Sequence, residues 1–159
     1  MQDAISNVFP KARHQSCWVH LSRNVAHAVR VKDRTEVLTD LKNVYTQDTL
    51  EAAEEKLDSL IQTWDKRYPK VTALLKNNPS LFTFLYFPKE IRASIYTTNL
   101  IEGFNKHLKR YTKRKEQFPN EDSLIRFIGT YAGDYNQRFQ MRIHKGFKLV
   151  TAELNDMFN

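Results

Sequence analysis

IYTTNLIEGFNKHLKRYTKRK, residues 95–115, fits a helix far better than a strand. Leu100, Ile101, Phe104, Leu108 and Tyr111 recur at helical intervals, and Asn99 with Glu102 three residues on has the spacing of a capping box. The helix is expected to run to about Lys113, ahead of the break at Phe118-Pro119-Asn120. Its first turn holds an acid, and the next turns bring Lys106, His107, Lys109, Arg110, Lys113, Arg114 and Lys115. Lys106, Lys109, Arg110 and Lys113 stand at i, i+3, i+4 and i+7, on one face. By spacing alone, Glu102 caps its own helix and complements its dipole, and the basic run is a solvated face.

Upstream the pattern is helical from Leu21 onward. Val37, Leu38, Leu41, Val44 and Tyr45 form one stripe, with Asp33 as the expected cap. Asp48 followed by Glu51 is read as the start of a helix burying Leu50, Ala53, Leu57, Leu60, Ile61 and Trp64. Pro69 and Pro79 punctuate the next segments, and the apolar run 81–87 reads equally as buried helix or buried strand. Ala4, Ile5, Val8 and Phe9 share a helical face that Pro10 stops. His14 to Val19 reads as a short strand, the only convincing one, with Cys17, Trp18 and Val19 suited to a sheet. A lone strand has no sheet to join. Its partners are therefore expected in residues outside this chain, and Trp18 and Val19 in exposed apolar surface.

Downstream, a last long helix is expected over 122–140, with Leu124, Ile125, Phe127, Ile128, Tyr131 and Tyr135 inward and Gly129 and Gly133 spaced for close helix packing. A second apolar set, Phe147, Leu149, Val150, Leu154, Met157 and Phe158, closes the chain.

Composition agrees with a mainly α fold carrying one or a few short strands, since 159 residues contain only 4 Gly and 5 Pro. Hydrophobic residues at 41% and charged residues at 27% point to a folded chain with a core. The excess of 25 Lys and Arg over 18 Asp and Glu, a formal +7, suits a polyanionic partner. One cysteine, Cys17, excludes an internal disulfide. Neither a secretory signal nor an apolar run of the ~20 residues needed for a membrane span is present, so the cytoplasm is the expected compartment.

Two long segments carry a family resemblance. IYTTNLIEGFN with its basic continuation and FPN, and AISNVFPKARHQSCWVHLSRN near the start, resemble the signatures of mutator-type bacterial insertion-sequence transposases, and HKGF near the end is a common feature of them. The resemblance implies a DDE-type recombinase with a ribonuclease H-like catalytic fold, here truncated and interrupted by an all-α insertion. It implies three segments: 1–32 as a remnant of the core, 33–94 as the helical insertion, and 95–159 as the C-terminal helices of the core. Two Asp and one Glu of such enzymes hold Mg²⁺ or Mn²⁺. The Glu is Glu102 by this match, both catalytic and metal-binding.

The same resemblance sets an expectation of incompleteness. In the family both catalytic Asp residues precede the stretch matched by Ala4 to Pro10, and Asp3 falls at a helix start. Either the gene is truncated or the numbering begins inside a longer protein, and the chain alone is not expected to cut or join DNA. Lys106, Lys109, Arg110, Lys113, Arg114 and Lys115 become the expected contacts to the DNA backbone, of transposon ends and target, in a nucleoid-associated protein for which a homo-oligomer is open. Cys17 and His20 form a Cys-x-x-His pair that belongs to the family pattern with an unassigned role. Two ligands fall short of the four a structural zinc needs, so no zinc is expected. The alternative to a transposase fragment is a non-catalytic helical DNA-binding or dimerisation remnant.

Overall fold

The computed structural model describes residues 7–97, 99–144 and 146–158, with the backbone alone at 99 and 100. In chain order the helices are α1 (Trp18–Ala28), α2 (Val31–Tyr45), α3 (Leu50–Trp64), α4 (Pro69–Lys76), α5 (Lys89–Ile95), α6 (Asn99–Arg114), α7 (Glu121–Phe139) and α8 (Thr151–Phe158). Short 3₁₀ turns at Thr83–Tyr86 and Phe147–Val150 join α4 to α5 and lead into α8. No described helix is long and apolar enough to cross a membrane.

The core lies in the N-terminal helices. Trp18, Leu21 and Val25 of α1, Val37, Leu41 and Val44 of α2, Leu60 and Trp64 of α3, and Val71 and Leu75 of α4 close on one another. Leu81 and Phe84 cap that cluster. Burial on this scale is what holds the helices, because short helices are marginal in water without a packed apolar face.

The expected strand at residues 14–19 is absent, and no strand occurs among the described residues. The segment leading to Cys17 instead makes isolated bonds to the 78–84 loop. Ser16 N donates to the Ser80 carbonyl at 2.9 Å. The Gln15 amide donates to Leu81 O at 2.9 Å and its Oε1 accepts from Phe84 N at 2.7 Å. Cys17 is still extended (φ −70°, ψ 113°), and Trp18 then opens α1. Trp18 is only 1% exposed, which also overturns the expected apolar surface around it. Cys, Trp and Val are apolar in a strand or in a buried first turn alike, so their identity recorded burial and not pairing.

Two expected caps are corrected. Asp33 lies inside α2, whose N-cap is Arg30, and it is buried. Its carboxylate accepts from the Tyr68 hydroxyl at 2.5 Å and pairs with the Arg67 guanidinium at 2.9 Å, so it ties α2 to the corner between α3 and α4. The Tyr68 hydrogen bond holds the Asp33 carboxyl below the usual carboxylate range, outweighing burial, with Arg67 adding to it. At α3 the cap is Thr49, whose hydroxyl accepts from Ala52 N at 3.2 Å. Asp48 instead pairs with Lys89 of α5 at 2.8 Å.

The C-terminal helices are thinly covered. α6 and α7 meet through ring contacts, Phe104 with Tyr131 and Tyr135 at 5.6 and 5.0 Å and Tyr111 with Tyr131 at 5.3 Å. No described residue from 101 to 144 is buried, so the expected inward face of α7 is at best half-covered, with Ile125 and Ile128 exposed. Close packing at Gly129 and Gly133 is not found either: a Cβ at each would meet nothing within 4 Å. Of the closing apolar set only Val150 is buried, and Leu149 is exposed. The tail is clasped to α5 and the residue run just before it: Phe158 stacks on Phe87 at 6.2 Å, and His144 Nδ1 lies 3.1 Å from Ser94 Oγ of α5. Gly146 has φ +92° and its backbone presses on Glu90, where a Cβ would stand 2.3 Å from the carbonyl oxygen.

In the expected N-terminal helix only Asn7, Val8 and Phe9 can be placed against the structure. Asn7 and Val8 are helical, the helix ends before Pro10, and Val8 and Phe9 are exposed; Ala4, Ile5 and Asp3 lie outside the described residues.

Candidate functional site

Glu102 stands in the first turn of α6, where the free backbone N–H groups favour a negative charge. Whether Asn99 caps this helix lies outside the described side chains. The Glu102 carboxylate is reached from α1: His20 Nε2 lies 3.3 Å from Oε1, with side chains 52% and 40% exposed. The first turns of two helices, distant in sequence, are thus brought face to face. Trp18 fixes this meeting. Its backbone N–H donates to the Tyr96 carbonyl at 3.0 Å, just ahead of α6, and its indole N–H donates to Leu81 O at 2.9 Å. His20 follows two residues after that anchor, and Cys17 is half-buried at the N-cap position of the same helix.

The basic residues extend away from the acid along α6. Glu102, Asn105, Lys106 and Lys109 line one shallow depression of about 380 Å³. Arg110 and Lys113 are exposed further along, the Arg114 guanidinium rests over the Tyr111 ring at 5.6 Å, and Lys115 lies just past the helix end. The exposed cations on the turns beyond the acid can hold a phosphate backbone by charge, without reading bases.

A divalent ion of the Mg²⁺ kind takes hard oxygen donors in a close group. Glu102 fits as one such donor, being a half-exposed carboxylate at a helix start. Among the described residues no three His, Cys, Asp or Glu side chains converge closely enough to hold a metal ion.

Glu102 in the first turn of α6 and the exposed basic residues beyond it stand where the sequence pattern puts them, and two features lie outside that pattern. One is the His20–Glu102 meeting, which joins two motifs that sequence had treated separately. The other is a hollow of about 610 Å³ between α6 and α7, lined by Tyr111, Tyr131, Tyr135 and Phe139 with Arg138 and Arg142. Its signal was present: Tyr131, Tyr135 and Phe139 repeat at i, i+4 and i+8 on α7. Burial among these rings pushes the Tyr131 phenol up, with Tyr111 and Tyr135 adding to it.

The family model for transposases of the Mutator family matches residues 1–142. The chain is 42% identical, over all 159 residues, to a transposase for insertion sequence element IS905 of Lactococcus lactis subsp. lactis (strain IL1403), and covers 41% of that protein. It is 43% identical over 136 residues, 85% of its length, to a transposase for insertion sequence element IS1201 of Lactobacillus helveticus, covering 37% of it. A transposase for ISRM3 of Rhizobium meliloti (strain 1021) is 32% identical over 128 residues, 79% of this chain and 32% of that protein. The chain spans about two fifths or less of the length of these relatives. With a match reaching across most of its residues, this chain belongs to the Mutator family of transposases.

Proposed function

We propose that this chain is the C-terminal part of the catalytic region of an insertion-sequence transposase, and that Glu102 is its contribution to a metal-dependent site for DNA cleavage and strand transfer. On this reading two Asp carboxylates from elsewhere in a complete enzyme share Mg²⁺ or Mn²⁺ with Glu102. The ion would polarise a phosphoryl oxygen and activate the attacking oxygen. Lys106, Lys109, Arg110, Lys113, Arg114 and Lys115 would hold the DNA backbone beside it. The carrying observation is that the acid and the basic face share one helix, α6, with the acid at its start and the cations exposed. Residues 33–94 are then a helical insertion in a ribonuclease H-like core, between the 1–32 and 95–159 segments that belong to that core.

The test compares strand transfer in the presence of Mg²⁺ by this chain and by a form restored with upstream coding sequence. Activity is expected only in the restored form and is abolished by Glu102→Gln. Full activity of the short chain, or of the Glu102→Gln restored form, overturns the reading. A parallel gel-shift series addresses the basic face. Replacing Lys109 and Arg110 by Glu removes about two phosphate contacts and is expected to lower the salt slope of DNA binding by about 2. Unchanged binding would remove α6 as the DNA contact.

A second reading is favoured by the thin cover of α6 and α7, where no described residue from 101 to 144 is buried. There the chain is a non-catalytic helical module that binds DNA or a second subunit. DNA binding without any activity in the restored form would select it.

A further inference from the structure

We propose that His20 is a positioning residue for Glu102: the imidazole Nε2–H donates to Oε1 and holds the carboxylate in the rotamer the reaction needs. This gives a role to the histidine of the Cys-x-x-His pair, and it rests on Glu102 being the metal-site carboxylate of the proposed function.

Three observations carry it. The 3.3 Å separation joins the first turn of α1 to the first turn of α6. The backbone that presents His20 is stiff, because Trp18 is 1% exposed and makes two hydrogen bonds, one of them to Tyr96 just before α6. A glutamate side chain has several staggered rotamers, and at 40% exposure the contact with His20 bears on which of them Glu102 keeps. Carboxylates that serve at metal and phosphoryl-transfer sites are commonly fixed by such a hydrogen-bonding partner, whose loss costs about 10–100-fold in affinity or activity. A pair this open to solvent contributes little to folding stability. Its effect therefore belongs to the reaction and not to the melting temperature.

The closing experiment has two arms. In the 159-residue chain, long-range ¹H–¹⁵N NMR of the His20 ring is expected to show Nε2 protonated, and Glu102→Gln is expected to shift the His20 ring nitrogens. A ring that does not respond to Glu102→Gln overturns the proposal. In the upstream-restored form, His20→Ala is expected to lower the strand-transfer rate constant about 10–100-fold. The KM for DNA and the melting temperature should stay near those of the parent. His20→Gln, whose amide N–H reaches a similar position, is expected to recover part of the rate. Wild-type activity of His20→Ala overturns the proposal, and so does an equal loss in both variants that follows a fall in melting temperature. If Glu102→Gln is itself fully active, the reading of Glu102 fails first. If Glu102→Gln is dead and His20→Ala is fully active, only the positioning role fails.

Discussion

Two regions of the molecule carry similar helical patterning and end in different states. From Trp18 to Ile91 the apolar stripes of α1 to α5 find partners, and residues such as Leu41, Val44 and Ala53 are wholly shielded from solvent. In α6 and α7 the stripes are as regular, but Phe104, Tyr111, Tyr131 and Tyr135 pack against residues of these two helices and stay partly open. Periodicity says which face of a helix is apolar and nothing about what covers it. The helix that bears Glu102 is therefore, like α7, one with no buried side chain among its described residues. Its site is tied to the well-packed half through Trp18, Tyr96 and the His20–Glu102 contact.

The largest expected effect puts the two regions on one scale. Leu41→Ala removes a fully shielded side chain from the core and is expected to cost about 2–5 kcal/mol. Phe104→Ala loses its contacts with Tyr131 and Tyr135, at roughly 0.5–1.5 kcal/mol for each ring pair. Both tryptophans, Trp18 and Trp64, lie in the N-terminal core, so urea unfolding followed by tryptophan fluorescence reports that region alone. Leu41→Ala should move the fluorescence and circular dichroism midpoints together. Phe104→Ala should move the dichroism curve and leave the fluorescence midpoint in place. If Phe104→Ala shifts fluorescence as strongly as Leu41→Ala, the two regions unfold as one unit and the contrast is lost.

A smaller effect depends on acid. The folded-state pKa of Asp33 lies below the ordinary value, chiefly through the Tyr68 hydroxyl. Its stabilisation is thus fully present above the unfolded value of about 3.9 and is lost as pH falls through the lower folded value. The thermal midpoint of the N-terminal core should decline as the pH drops below about 4. Asp33→Asn should lower that midpoint at neutral pH and flatten the acid decline. An Asp33→Asn curve parallel to the parent's would mean that other carboxylates carry the acid sensitivity.

The helices were legible in sequence because their signal is local. The last long helix, expected over 122–140, runs Glu121–Phe139, and the Glu102 helix, expected to reach about Lys113, ends at Arg114. What failed depended on partners far along the chain. Asp33 and Asp48 have the residue type and position of caps, yet each is recruited by a distant cation, Arg67 and Lys89. Residues 81–87 were ambiguous, and a 3₁₀ turn at Thr83–Tyr86 buries Phe84 while Tyr86 stays exposed. At the site, Glu102 and the cations of α6 were readable from one stretch of helix. Their neighbour His20 was not, since nothing local in either motif says that the first turns of α1 and α6 meet.

The smallest expected effect tests whether the face of α7 is open in solution. Glycine inside a helix is less favourable than alanine by about 0.5–1 kcal/mol, because it has more backbone freedom to lose. Gly129 and Gly133 lie inside α7, and an added Cβ at either would meet nothing within 4 Å. Gly129→Ala should therefore stabilise α7 by about that amount, seen as slower amide exchange along 121–139 with the tryptophan fluorescence midpoint unchanged. The sign carries the information. A methyl group in open space only helps the helix, whereas one pressed against a neighbour would destabilise it. A loss of protection on Gly129→Ala that grows with protein concentration would show a second copy of the chain covering that face. The difference between the two regions would then be one of partner, with the C-terminal helices packed between molecules as the N-terminal ones are packed within one.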